Sequence, residues 1–102
     1  MLELRPNCEG CDKDLPPESI EAFICTYECT FCVNCVNDLL MNVCPNCGGG
    51  FSPRPIRPKK ERRVGVSLSH QPASTSRVNT KYTAAEIAEF SHSIQAIKPE
   101  NR

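Results

Sequence analysis

The chain has 102 residues, of which 24% are charged, and its twelve basic and twelve acidic side chains give a formal net charge of zero. That length suffices for one small domain with appendages, and no apolar stretch approaches the roughly 20 residues a membrane helix requires. The neutrality conceals a split: residues 1–50 carry two basic side chains against eight acidic ones, a formal −6, while residues 51–102 carry ten against four, a formal +6. An acidic head is not drawn to phosphate backbones, so any nucleic-acid contact falls to the second half.

Residues 1–24 contain Glu3, Arg5, Glu9, Asp12, Lys13, Asp14, Glu18 and Glu21, which interrupts the apolar run of about 7–15 residues that a secretory leader needs. A cytoplasmic setting is expected, where thiols stay reduced and free to bind metal. Residues 1–7 read as an extended lead-in, with Pro6 opposing a helix. From Cys8 to Cys47 the chain holds all eight cysteines as four pairs: Cys8/Cys11, Cys25/Cys29, Cys32/Cys35 and Cys44/Cys47. Two residues between thiols let both sulfurs face one ion about 2.3 Å away, and tetrahedral Zn²⁺ takes four thiolates. Eight cysteines therefore fill two closed zinc sites with none left over. A region this short cannot fold on an apolar core alone, so a metal staple is expected. Sequential pairing (Cys8, Cys11, Cys25, Cys29, then the remaining four) and interleaved pairing are both within reach, because the three Cα steps from Cys29 to Cys32 span at most about 10 Å.

Between the cysteines, Pro16-Pro17 bars helix, and Ile20 to Cys25 is rich in branched and aromatic residues and predicts a strand. A turn through Thr26-Tyr27-Glu28 returns the chain along Cys29-Thr30-Phe31 as a hairpin. Val36, Leu39, Leu40 and Val43 then recur at helical spacing from Cys35 onward, with Phe23, Ile24 and Phe31 as the surface they face.

The spacing C-x2-C-x13-C-x3-C-x2-C-x2-C-x8-C-x2-C, with Phe31 before Cys32 and the knuckle Cys44-Pro45-Asn46-Cys47, resembles RING-type cross-brace zinc domains, with Cys29 where most members have histidine. The resemblance implies a small α+β, treble-clef-like fold in which Cys8, Cys11, Cys32 and Cys35 hold one zinc and Cys25, Cys29, Cys44 and Cys47 the other. Members that recruit a ubiquitin-conjugating enzyme tend to carry an aliphatic residue in the first knuckle, a late bulky residue (often Trp) and a basic residue after the last ligand. Here stand Glu9-Gly10, no Trp, and Gly48, so a ligase-like adaptor is the weaker reading. Residues 1–58, through MLELRPNC, ECTFC and CPNCGGG, also resemble a family of small bacterial cysteine-rich proteins of unassigned function.

Three segments are expected: a two-zinc domain over 1–51, a disordered basic Pro/Ser-rich linker over 52–82 and an amphipathic helix over 83–98. Proline alternates with cations from Pro53 to Pro58, and Arg54, Arg57, Lys59, Lys60, Arg62 and Arg63 form a candidate anion-binding arm. Val64, Val66 and Leu68 alternate as a weak strand signal. His70 and His92 lie far from the cysteines and read as non-ligands. Thr83-x-x-Glu86 is a capping box before Ile87, Phe90, Ile94 and Ile97, which predicts a helix from Ala84 to Ile97; docking on the head, binding a partner groove and self-pairing all stay open for it. Four-thiolate sites leave no open position for substrate, and no catalytic motif stands elsewhere in the chain, so a non-enzymatic protein-interaction module with structural zinc is expected. A nucleic-acid-associated regulator using the basic arm and a redox or zinc sensor with Cys25–Cys29 as its weak point are the alternatives.

Overall fold

Branched and aromatic residues build the centre of a small antiparallel sheet. A computed structural model describing residues 1–102 contains β1 (Ala22–Ile24), β2 (Thr30–Cys32) and β3 (Ser52–Pro53), in the order β2-β1-β3. Ala22 faces Cys32, Phe23 faces Phe31 and Ile24 faces Thr30 across the hairpin. The turn between them is closed by Glu28 N–H on the Cys25 carbonyl at 3.0 Å, with Glu28 in the left-handed region at φ +66°. Ile20 lies outside the strand and is exposed.

β3 falls where a disordered linker is expected. Pro53 fits there because an edge strand can spare one donor, and Arg54 N–H continues the ladder onto the Ala22 carbonyl at 2.8 Å. The Arg54 guanidinium then enters the head, donating to the carbonyls of Arg5 (2.8 Å), Leu15 (3.2 Å) and Pro16 (2.9 Å). Arg57 reaches the carbonyls of Leu2 and Gln71. Further on, the chain lies as a strap across the first cysteine knuckle. Ser74 N–H donates to Leu4 O, Asn7 exchanges bonds with Val78, and Thr80 N–H donates to Glu9 O. Arg77 binds Asp12 and Asp14. The chain around Arg54 and Arg57 and the strap from Ser74 to Thr80 are thus ordered onto the acidic head, where opposite charge and free carbonyls replace the solvation expected of a polar linker. The stretch between them is ordered by its own bonds. Val64, Val66 and Leu68 form no strand of the sheet; Gly65 at φ +79° turns the chain back there.

Helical spacing after Cys35 gives a five-residue π-helix, Cys35–Leu39, with Leu40 N–H bonding the Cys35 carbonyl five residues back at 2.8 Å. Met41 and Asn42 at positive φ end it. The wider winding keeps Val36, Leu40 and Val43 buried, with Leu39 half-buried. Phe31 packs edge-on to Phe51, ring centroids 5.5 Å apart, under the same core.

The capping box forms as the spacing predicts: Thr83 Oγ1 accepts from Glu86 N–H, and Glu86 Oε1 from Thr83 N–H. Helix α1 runs from Ala84 to His92, shorter than expected. Ser91 and Ser93 hydroxyls bond back to the carbonyls of Ala88 and Phe90, a competition that weakens helical continuation, and Ile94 onward follows turns. The helix docks on the head through buried Ile87, which joins the main core. An added Cβ on Gly48 would sit 3.6 Å from Ile94 and 3.8 Å from Phe90, which places both side chains over the last knuckle. No helix is long and apolar enough to cross a membrane.

Arg54→Ala strips charge-assisted donors from three carbonyls, and its cost should reach about 3 kcal/mol. Exposed Arg62→Ala should stay within about 0.5 kcal/mol. Denaturant unfolding of the metal-replete protein measures both, and equal effects would remove Arg54 from the structural role.

Candidate metal centres

Two knuckles of like geometry carry the outer cysteine pairs. In the first, Asp12 N–H returns to the Cys8 carbonyl at 2.9 Å, with Asp12 left-handed at φ +64°. In the second, Gly48 N–H returns to the Cys44 carbonyl at 2.7 Å, with Gly48 at φ +79°. The tight turns aim backbone donors at sulfur. Gly10 and Cys11 N–H lie 3.4 and 3.5 Å from Cys8 Sγ, and Gly49 N–H lies 3.4 Å from Cys47 Sγ. Gly10 serves by its smallness: a Cβ there would come within 3.2 Å of Cys35 Sγ and 3.4 Å of Phe31.

The inner cysteines come from the sheet and the π-helix. β2 ends in Cys32 and the π-helix opens on Cys35, which delivers both to the first knuckle. The sulfurs of Cys8, Cys11, Cys32 and Cys35 all lie within 4.8 Å of one another, Cys11 and Cys32 at 3.8 Å. Cys25, just after β1, meets Cys44 and Cys47 within the same 4.8 Å, and its sulfur accepts Tyr27 N–H at 3.3 Å. Cys29, also buried, does not come that close to all three; its sulfur accepts a 3.3 Å bond from Asn46 Nδ2 of the last knuckle. The grouping is interleaved along the sequence.

Crowded sulfur resists ionisation. Burial, then the charges of Cys8 and Cys32, push the Cys35 thiol far up. Burial outweighs the N–H bonds from Asn46 and Cys47 at Cys44, where Cys25 and Cys29 add to the upward push. Burial likewise raises Cys8 and Cys29. At Cys11 burial works the same way but is overcome by the Lys13 N–H and the neighbouring thiols, which pull it down. A divalent cation reverses this balance by supplying the positive charge that four adjacent thiolates need. The all-sulfur donor set, the spacing and the converging N–H groups fit such an ion at both clusters.

A search of solved structures finds no match to this chain. The family model described as "Protein of unknown function (DUF1272)" matches residues 1–57. The chain belongs to the DUF1272 family. It is also 55% identical over 78 residues to an uncharacterized protein of Rhizobium meliloti (strain 1021), an alignment covering 76% of this chain and 86% of the relative. Both cysteine clusters, all three strands and the two internal arginines lie within the DUF1272 segment.

Of the six expected anion-binding cations, the structure withdraws Arg54 and Arg57, whose guanidinium groups are occupied by carbonyls of the head and strap. Lys59, Lys60, Arg62 and Arg63 remain exposed around a turn in which Val66 N–H meets the Arg63 carbonyl at 3.2 Å. Val64 stands at its apex, 96% exposed. Glu61 accepts Gly65 N–H at 2.7 Å, and Gln71 braces Gly65 and Ser67 from behind, so this tip is held in shape.

One cluster has no signal in the sequence. Ser67 Oγ lies 2.8 Å from His70 Nδ1, whose Nε2 lies 3.2 Å from Glu61. The distances resemble a nucleophile–base–acid relay, yet Ser67 is fully buried and no substrate atom can reach it. The trio braces the tip from behind. His70 and His92 belong to neither sulfur cluster.

Because burial raises Cys8 and Cys35 in the first cluster and Cys29 and Cys44 around the second, each metal bound must displace protons. Apparent affinity should therefore rise with pH between about 6 and 8, with a log–log slope of about two or more per metal. Competition titration against a chelator measures it, and a flat profile would mean that the ligands are not these thiols.

Proposed function

We propose that the protein is a zinc-stapled interaction module with no catalysis of its own. Two structural Zn²⁺ ions, one on Cys8, Cys11, Cys32 and Cys35 and one on Cys25, Cys29, Cys44 and Cys47, hold a RING-like, treble-clef head that presents the tip at 59–66 to another protein. The observation that carries this is the first cluster: four sulfurs within 4.8 Å, fed by knuckle N–H groups. Zinc suits it because the donors are all thiolate, and four thiolates leave no open position for water or substrate. Zinc supplies charge compensation and nothing further. The working surface is what folding leaves free. The strap and α1 cover the head, and no carboxylate pairs with Lys59, Lys60, Arg62 or Arg63. Cations ringing an exposed valine suit an acidic protein face with an apolar pocket at its centre.

A second reading, nucleic-acid association, is favoured by the same four unpaired cations. It lacks aromatic stacking partners at the tip, which counts against single strands.

Native mass spectrometry of the reduced protein should find two zinc ions per chain. Cys32→Ser should lose the first with the fold, and Cys29→Ser should leave one. A metal-free chain that is fully ordered would end the proposal.

The surface is tested separately by replacing Lys59, Lys60, Arg62 and Arg63 together with Ser, which should leave both zinc ions in place. Fluorescence anisotropy with duplex DNA then decides between partners. Binding whose log K falls against log salt with a slope of about −4, and which disappears in the variant, would move the assignment to nucleic acid. Absence of DNA binding at low salt leaves the protein partner.

A further inference from the structure

The first knuckle contains a residue that metal binding does not require. Glu9 lies between Cys8 and Cys11, is buried at 3% exposure, and is a carboxylate, which a buried position disfavours unless its charge is met. Here it is met twice. Glu9 Oε2 accepts the Thr30 backbone N–H at 2.6 Å and Arg5 Nη1 at 2.8 Å. The backbone adds a third bond, Glu9 N–H to the Thr30 carbonyl at 2.9 Å. Thr30 is the residue after Cys29 and stands two before Cys32. Its neighbours therefore belong to different sites: Cys32 to the first cluster, and Cys29 to the ligand set proposed for the second. Both polar groups of the Thr30 backbone are clasped by one residue of the first knuckle.

We propose that Glu9 is a positioning residue that makes the two metal sites load together; the inference rests on the two-zinc reading above. When the first knuckle closes on its ion, Glu9 is delivered to Thr30 and fixes the backbone at Cys29. When the second site fills first, Thr30 is already placed to receive Glu9, and the knuckle between Cys8 and Cys11 is pre-formed. The coupling is reciprocal, as any linkage between two binding equilibria must be. Arg5 holds the carboxylate in line. Arg5 is itself steadied by Glu3 at 3.2 Å, and Glu3 N–H reaches Glu28 Oε1 at 3.0 Å, on the turn that carries Cys29. A hydrogen-bonded route from the first knuckle to the second ligand group thus runs through Thr30 at the start of β2 and Glu28 on the turn before it.

The test is a zinc titration of the metal-free, reduced chain followed by native mass spectrometry, which resolves the zero-, one- and two-zinc forms. Independent equal sites would put about half the chains in the one-zinc form at one zinc per chain. The wild type should instead divide between zinc-free and two-zinc chains. Glu9→Ala should raise the one-zinc share about fivefold or more, while still binding two ions in excess zinc. Glu9→Gln, which keeps an acceptor for Thr30 but loses the charge facing Arg5, should fall between. Leu40→Ala is the control, since it weakens the core without touching the clasp.

Three results would overturn the role of Glu9 alone: a wild type that fills its sites independently, a Glu9→Ala chain with unchanged populations, or a one-zinc share raised as much by Leu40→Ala. A wild type that takes no zinc would overturn the two-zinc reading and this inference with it.

Discussion

Sulfur crowding governs this molecule. Seven thiols stand in two clusters within 4.8 Å of their neighbours, where burial keeps protons on Cys8, Cys35 and Cys44. Thiols at such spacing have no strong attraction for one another, and ionised they repel. The rest of the architecture is too slight to impose the arrangement. Its strands are two or three residues long and its π-helix five, and a sheet of that size is not stable by itself. A cation at each cluster would turn the most unfavourable feature of the chain into the one that organises it, and its binding free energy would become folding free energy.

Cysteine spacing makes much of this legible. The outer pairs, Cys8/Cys11 and Cys44/Cys47, announce their knuckles, because a two-residue gap with glycine beside it favours a tight turn. Phe31, Val36 and Leu40 announce the core beneath them. Spacing leaves the pairing between knuckles open, since a few residues of extended chain reach either way. The register of β1 against β2 is what sets the grouping, and register depends on the turn at Glu28 and on contacts remote in sequence. The capping box at Thr83 is readable because it is local, and so is the start of α1. Its end is not: Ile94 and Ile97 continue the helical period, but serine hydroxyls and packing over Gly48 take the chain into turns.

The basic half departs from its sequence pattern for a physical reason. Alternating proline and arginine describes an extended, solvated linker when only composition is weighed. The two terminal nitrogens of Arg54 donate to the carbonyls of Arg5, Leu15 and Pro16, up to 49 residues away, while its buried Nε has no partner, and no local pattern encodes such contacts. Burial of a guanidinium normally opposes its charge, and Arg54 is indeed pulled below its ordinary range by desolvation. Three carbonyl dipoles offset part of that cost. A cation that reads as a ligand for an outside anion is here a clamp on the chain's own backbone.

The DUF1272 segment takes in these clamps. Residues 1–57 include β3 and both clamping arginines, so the segment contains the groups that close the sheet edge and tie it to residues 2–16. Residues 58–102 lean on that unit from outside. The strap uses backbone groups of Leu4 and Glu9 and the side chain of Asn7, and Arg77 meets acids at the rim. Helix α1 adds Ile87 to a core already built from cysteines and Phe31. Charge is thereby redistributed: Arg54, Arg57 and Arg77 are absorbed by the head, and Lys59, Lys60, Arg62 and Arg63 are concentrated on one braced turn. A chain whose formal charges cancel thus still offers a strongly basic surface, because folding turns some of its cations inward and gathers the others in one place.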